Sequence, residues 1–159
     1  MFDGSSQITV KDSTGNNFPS VSKSNAGISV LDPRTKSFSF ELFLYPAAQS
    51  NDNQVILQKR KDEFSAITLA ISESSSTSEC NVVFAVSSGS NYVTTIAPIY
   101  KGQFNHLYFE YDALALSSSL KIYRDLEYVS PLSDFVIFDD LDFGAADVTI
   151  GSGSTHTVG

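Results

Sequence analysis

Apolar and polar residues alternate with a period of two wherever this chain shows periodicity, and the alternating runs are short and bounded by Gly, Pro, Asn, Asp or Ser. Period two is the mark of a strand with one dry and one wet face. It predicts strands at 7–10, 27–30, 38–45, 54–58, 67–72, 81–86, 92–96, 104–111, 119–124 and 147–150. No window of a dozen residues has helical spacing of its apolar positions. "YDALALSSSL" has room for one short helical turn, after which the next strand must begin almost at once. Many short strands with turn signals about every ten residues predict an antiparallel sandwich or barrel.

The alternation also assigns faces. In "KGQFNHLYFEYD", Asn105, Leu107, Phe109 and Tyr111 fall on one side and His106, Tyr108 and Glu110 on the other. The first set is the more apolar and is expected to face the core. "FSFELFLYP" divides the same way, with Phe38, Phe40, Leu42 and Leu44 inward and Ser39, Glu41, Phe43 and Tyr45 outward; Pro46 ends the strand because it has no N–H for a central ladder. In "LKIYRD", Leu120 and Ile122 point one way and Lys121 and Tyr123 the other. The wet face therefore collects aromatic rings among charged neighbours.

Composition narrows the class. A chain of 159 residues is one ordinary domain, and folding buries roughly 70% of the surface such a chain exposes when unfolded. Twelve Phe and seven Tyr supply a core, and a charged fraction of 18% describes a rather neutral surface. The net charge of −8, with one dense basic cluster at Lys59, Arg60 and Lys61 followed at once by Asp62 and Glu63, argues against a groove that tracks phosphates, so no nucleic-acid partner is expected. Cys80 is alone, which excludes an intrachain disulfide and a Cys-pair zinc site, and it reads as a small, partly buried apolar residue. The opening "MFDGSSQITV" has neither a basic leader nor an apolar run, and no stretch approaches ~18 apolar residues, so membrane insertion is not expected. "ISESSSTSEC", residues 71–80, reads as an exposed connection and "IGSGSTHTVG" as a linker or loop.

Six fragments, in this order, have a familiar look: "FDGSSQITVKDS", "FSFELFLYP", "QVILQKR", "GQFNHLYFEYD", "LKIYRD" and "DVTIG". Together they resemble the spine of the concanavalin A-like jelly rolls of the laminin-G and pentraxin type, including that family's Trp-His-His-Val-Ala-Val-Thr-Tyr-Asp run and its Leu-x-Leu-Tyr-Val-Asp-Gly hairpin. The resemblance implies an all-β, antiparallel jelly-roll sandwich over residues 1–151 with a Gly/Ser/Thr-rich tail at 152–159. Two departures stand out. Leu126 follows Asp125 where a hairpin glycine is usual, which predicts a turn of different shape. The family's closing strand after the Ile-Gly step is also missing, which leaves strand 7–10 expecting a neighbour from elsewhere, as in a module of a larger assembly or oligomer.

The candidate chemistry is that of a binding protein. The glucanases of this fold class carry paired carboxylates on one strand as Glu-x-Asp-x-x-Glu, and no such run exists here, so no enzyme is expected. His106 has no G-x-S-x-G partner and reads as an outward strand residue; His156 lies in the tail. Tyr45, Tyr108 and Tyr123, with Asn91 in an adjoining loop, offer aromatic faces and hydrogen-bonding groups for sugars; paired packing of the tyrosines is the plainer alternative. No cofactor is required. The resemblance adds one optional guest, a calcium ion at a rim formed by Asp3, Asp139, Asp140 and Asp142, against the plainer reading of a solvated acidic loop. The expected protein is a lectin-like or purely structural module on a virion exterior, or in an extracellular adhesin. Its partners would be cell-surface glycans or neighbouring subunits.

Overall fold

A computed structural model describes residues 8–9, 37–48, 53–72, 74–114, 117–129, 148–151 and 153. The described residues form ten strands: β1 (Ile8–Thr9), β2 (Phe38–Leu44), β3 (Gln54–Arg60), β4 (Ala66–Ser72), β5 (Glu79–Ser88), β6 (Asn91–Tyr100), β7 (Asn105–Leu114), β8 (Ser117–Arg124), β9 (Glu127–Tyr128) and β10 (Val148–Ile150). No helix occurs among the described residues. The strands make a six-stranded sheet in the order β1-β10-β3-β4-β5-β6 and a four-stranded sheet in the order β2-β7-β8-β9, every pairing antiparallel. The two sheets pack face to face as a β-sandwich.

The alternation assigned the small sheet's faces correctly. Leu107, Phe109, Tyr111, Leu120 and Ile122 are buried, with Phe38, Phe40, Leu42 and Leu44 half-buried beside them. From the large sheet they meet Ile67, Leu69, Val82, Phe84, Val86, Val93 and Ile99. Phe84 is the interlock: its ring lies edge-on to Phe40 (6.3 Å between centroids) and to Phe109 (5.8 Å) across the sandwich. Strand β4 is different, because Ala66, Thr68 and Ala70 on its other side are buried as well, which is why its sequence runs apolar with little alternation.

A second tie between the sheets is Arg124, whose Nη1 donates to the Pro98 carbonyl at 2.7 Å while its guanidinium lies 4.5 Å over the Tyr100 ring. The connection between β4 and β5 is exposed at 75–79, as expected, but shorter than 71–80. Ile71 and Cys80 belong to strands and are buried, and Lys101 Nζ donates to the carbonyls of Ser74 (3.2 Å) and Ser76 (2.6 Å). Burial pushes the Cys80 thiol up from its usual range, as befits an inert core residue.

Three expectations are corrected. "YDALALSSSL" makes no helical turn up to Leu114, because β7 stays extended to that residue in pairing with β8. The first strand is not without a neighbour: Ile8 and Thr9 pair with Ile150 and Thr149 of β10. The 125–126 turn does not depart from the glycine-type hairpin. Asp125 (φ 52°) and Leu126 (φ 71°) both sit at positive φ between paired Arg124 and Glu127, the two-residue geometry of a type I′ loop. The expected strand at 27–30 and most of the tail lie outside the described residues.

Candidate functional site

The outward face of the four-stranded sheet carries the chemistry. Register across β2, β7, β8 and β9 aligns Glu41, Tyr108, Tyr123 and Tyr128 in one row perpendicular to the strands. Paired residues of neighbouring strands share a face, so the row follows from the same alternation that buries Leu107 and Phe109. The Tyr108 and Tyr123 rings are 5.7 Å apart and the Tyr123 and Tyr128 rings 5.4 Å.

Beside this row stands a second pair of rings. Phe43 and His106 face each other across β2 and β7, stacked at 4.6 Å with 14° between planes. His106 Nε2 lies 2.7 Å from Glu41 Oε1, so the imidazole N–H donates to the carboxylate and its edge is fixed from one side while Phe43 holds its face. Further down the face the Lys121 ammonium bonds Glu110 at 2.6 Å, and this bond raises the lysine's pKa.

Glu41, His106, Tyr108, Tyr123 and Leu126 enclose a shallow depression of about 200 Å³, open to solvent. Its lip is the 125–126 turn, held down by two bonds to β7: Asp125 N–H donates to the His106 carbonyl (2.9 Å), and His106 N–H to the Asp125 carboxylate (3.2 Å). Asp tolerates positive φ, but Leu pays roughly 1 kcal/mol or more for it. Leu126 is also 83% exposed, so neither backbone preference nor the core explains it. Strain kept at the lip of a depression is what a contact residue would show. Leu126→Gly is expected to raise stability by ~0.5–1 kcal/mol, about 1–4 °C in Tm, while weakening whatever the depression binds. Thermal melts with a parallel binding titration check both signs.

The sequence-predicted residues divide as follows. Tyr108 and Tyr123 are brought together in the depression. Tyr45, at the end of β2, pairs instead with Phe104 (5.1 Å, edge-on), beyond Phe43 on the same face. Asn91 is not brought to them: it opens β6 in the other sheet, nine residues of strand from Tyr100, which lies by Arg124, so at ~3.3 Å per residue it is about 30 Å from that end. Asp3, Asp139, Asp140 and Asp142, the calcium candidates, lie outside the described residues. Among the described residues no three His, Cys, Asp or Glu side chains cluster as metal ligands, and no helix is long and apolar enough to cross a membrane.

Sequence reasoning missed Glu41, Leu126 and Tyr128 as site residues and read His106 simply as an outward strand residue. Glu41 and His106 are far apart in the chain, and only strand pairing joins them. Tyr128 was missed because β9 is two residues long and follows a turn without glycine.

The Lys121 pair also predicts a pH effect. Its folded pKa is raised, so its stabilisation is full below the unfolded lysine value of about 10.4 and is lost as pH rises through the folded one. The pair is part-buried but still reached and screened by solvent, so the expected loss is a few tenths of a kcal/mol. Thermal melts above pH 10 should show a steeper decline for the wild type than for Lys121→Met.

No family model matches the chain, and no curated protein matches it.

Proposed function

We propose that this β-sandwich is a non-enzymatic recognition module of the concanavalin A-like jelly-roll type that binds glycans on the outward face of its four-stranded sheet. The observation that carries this reading is the depression in which Tyr108 and Tyr123 meet the Glu41–His106 pair. Sugars are held by aromatic surface against their apolar C–H faces and by fixed, solvent-accessible polar groups at their hydroxyls. Glu41 accepts and stays solvated, His106 orients it, and the tyrosine rings supply the surface. A module of this kind belongs on the exterior of a virion or in an extracellular adhesin, where cell-surface glycans are met.

The same geometry disfavours hydrolysis. A glycosidase needs one carboxyl kept protonated opposite a second. Here Glu110 is paired with the Lys121 ammonium and Glu41 with His106, so neither carboxylate stands free opposite another. Incubation with β-glucans is expected to release no reducing ends.

A glycan array of neutral, acidic and branched structures, run with and without calcium, tests the reading. Binding that is lost in Tyr108→Ala supports it, and no binding to any sugar in either condition removes it. One observation favours a second reading, assembly without a ligand: Phe43, Phe104 and Leu126 are 68%, 70% and 83% exposed on or beside this face, apolar surface that a neighbouring subunit would cover. Sedimentation at high concentration separates the two, because a protein that stays monomeric and fully stable argues against an assembly role.

A further inference from the structure

We infer, resting on the glycan reading above, that the ligand is a neutral, linear, twisted oligosaccharide of at least three sugars lying across the strands along the Tyr108–Tyr123–Tyr128 row. Four observations converge on this.

First, the depression lined by Glu41, Tyr108 and Tyr123 is too small for more than about one sugar ring, being below the usual ~300 Å³ of an enclosed ligand pocket. Second, the aromatic surface does not stop at the depression. Tyr128 continues it on β9, is 44% exposed, and keeps nearly the same spacing, 5.4 Å after 5.7 Å. Tyr108 and Tyr123 meet edge to face and Tyr128 is tilted to Tyr123; steps of that size are close to the length of one sugar in an extended chain, so the row offers one ring per residue of a chain running perpendicular to the strands.

Third, the rings are not coplanar. Tyr108 and Tyr123 differ by 66° and Tyr123 and Tyr128 by 54°. A flat ribbon chain, whose successive sugars present parallel faces, stacks on one such ring and lifts from the next. A chain whose sugar planes rotate from one residue to the next can meet all three.

Fourth, the face is acidic. Among its described residues are Glu41, Glu110 and Asp112, and Lys121 is already bonded to Glu110. Chains bearing carboxylates or sulfates would meet repulsion that no unpaired cation among the described residues of this face offsets. Neutral chains meet none. The polar end of the row is Glu41 on β2, with His106 beside it on β7; the other end is β9, at the edge of the sheet among the described strands.

The test is calorimetric titration with xylo-, cello-, manno-, laminari- and chito-oligosaccharides of one to six sugars, with a uronate chain as the charged control. Affinity is expected to rise about tenfold per sugar up to three sugars, or ~1.4 kcal/mol per step, and then level off. The twisted xylo-oligosaccharides should bind better than flat cello-oligosaccharides of equal length, and the uronate chain least. Tyr128→Ala should bring the trisaccharide down to the disaccharide's affinity and leave the disaccharide unchanged, while Tyr128→Trp keeps the gain. Affinity that does not grow beyond one sugar, a preference for the charged chain, or Tyr128→Ala acting equally on di- and trisaccharide would overturn the inference. Should none of these chains bind while a branched or acidic glycan binds on the array, this inference falls and the glycan reading stands; should nothing bind on the array, both fall.

Discussion

Asn105→Ala is expected to destabilise the protein by about 3 kcal/mol, lowering Tm by roughly 6–12 °C. Asn105 is fully buried at the start of β7, where the apolar side of the alternation puts it. Its amide is consumed by the backbone. Oδ1 accepts from Tyr100 N–H at 2.9 Å, and Nδ2 donates to the carbonyls of Tyr100 (2.9 Å), Gln103 (3.2 Å) and Leu44 (3.4 Å). One side chain thus joins the end of β6, the 101–104 turn and the end of β2, and so sets the register in which Phe43 meets His106 and Glu41 meets Tyr108. Alanine leaves a buried donor and up to three carbonyls without their partner, at ~1–3 kcal/mol for each group that water cannot reach. Asn105→Asp keeps the acceptor but aims a carboxylate at three carbonyls. It should be at least as damaging at neutral pH and milder in acid, where the group is neutral. Urea titration of the three proteins checks the order; a cost for alanine below about 1 kcal/mol would mean that the three segments hold their register without it.

Tyr123→Ala is expected to lower glycan affinity about 100-fold, or ~2.7 kcal/mol, at a modest cost in stability. Tyr123 is the middle ring of its row, touching Tyr108 on one side and Tyr128 on the other, and it forms part of the depression with Glu41 and His106. Truncating it removes its own stacking surface and frees the flanking rings to move, so the loss should exceed that of either end ring. Each of its two aromatic contacts is worth ~0.5–1.5 kcal/mol, so the fold should lose about 1–3 kcal/mol, no more than Asn105→Ala costs. Tyr123→Phe keeps the ring and should bind within a few-fold of wild type. An affinity unchanged in Tyr123→Ala would remove the tyrosine row from the binding surface.

These two residues also mark how far the sequence could be read. Both lie on strands whose alternation is clear, so the side each one faces was legible: Asn105 inward with Leu107 and Phe109, Tyr123 outward with Lys121. What Asn105 does was not, because a polar residue on a dry face announces burial without naming its partners. The Tyr108–Tyr123 pair was expected on one face, but its neighbours depend on register. Glu41 pairs opposite Tyr108 only because β2 and β7 align Phe38 with Tyr111 and Leu44 with Asn105. Period two is blind to such shifts along the strand.

The hairpin after Arg124 failed for a different reason. Asp-Leu in a type I′ loop runs against local preference, and a reading from turn chemistry expects glycine there. Losing that turn lost β9, and with it Tyr128 and the third ring of the row. Places where local preference is overridden are where function is most often found, and Leu126 at the lip of the depression fits that pattern.

The most direct test of the outward face as the ligand surface is a two-dimensional amide NMR titration with the strongest-binding glycan from the array. The account predicts shifts concentrated at Glu41, His106, Tyr108, Tyr123, Leu126 and Tyr128, with Asn91 and its hairpin unmoved. Shifts centred on that hairpin, with Tyr108 and Tyr123 silent, would contradict it.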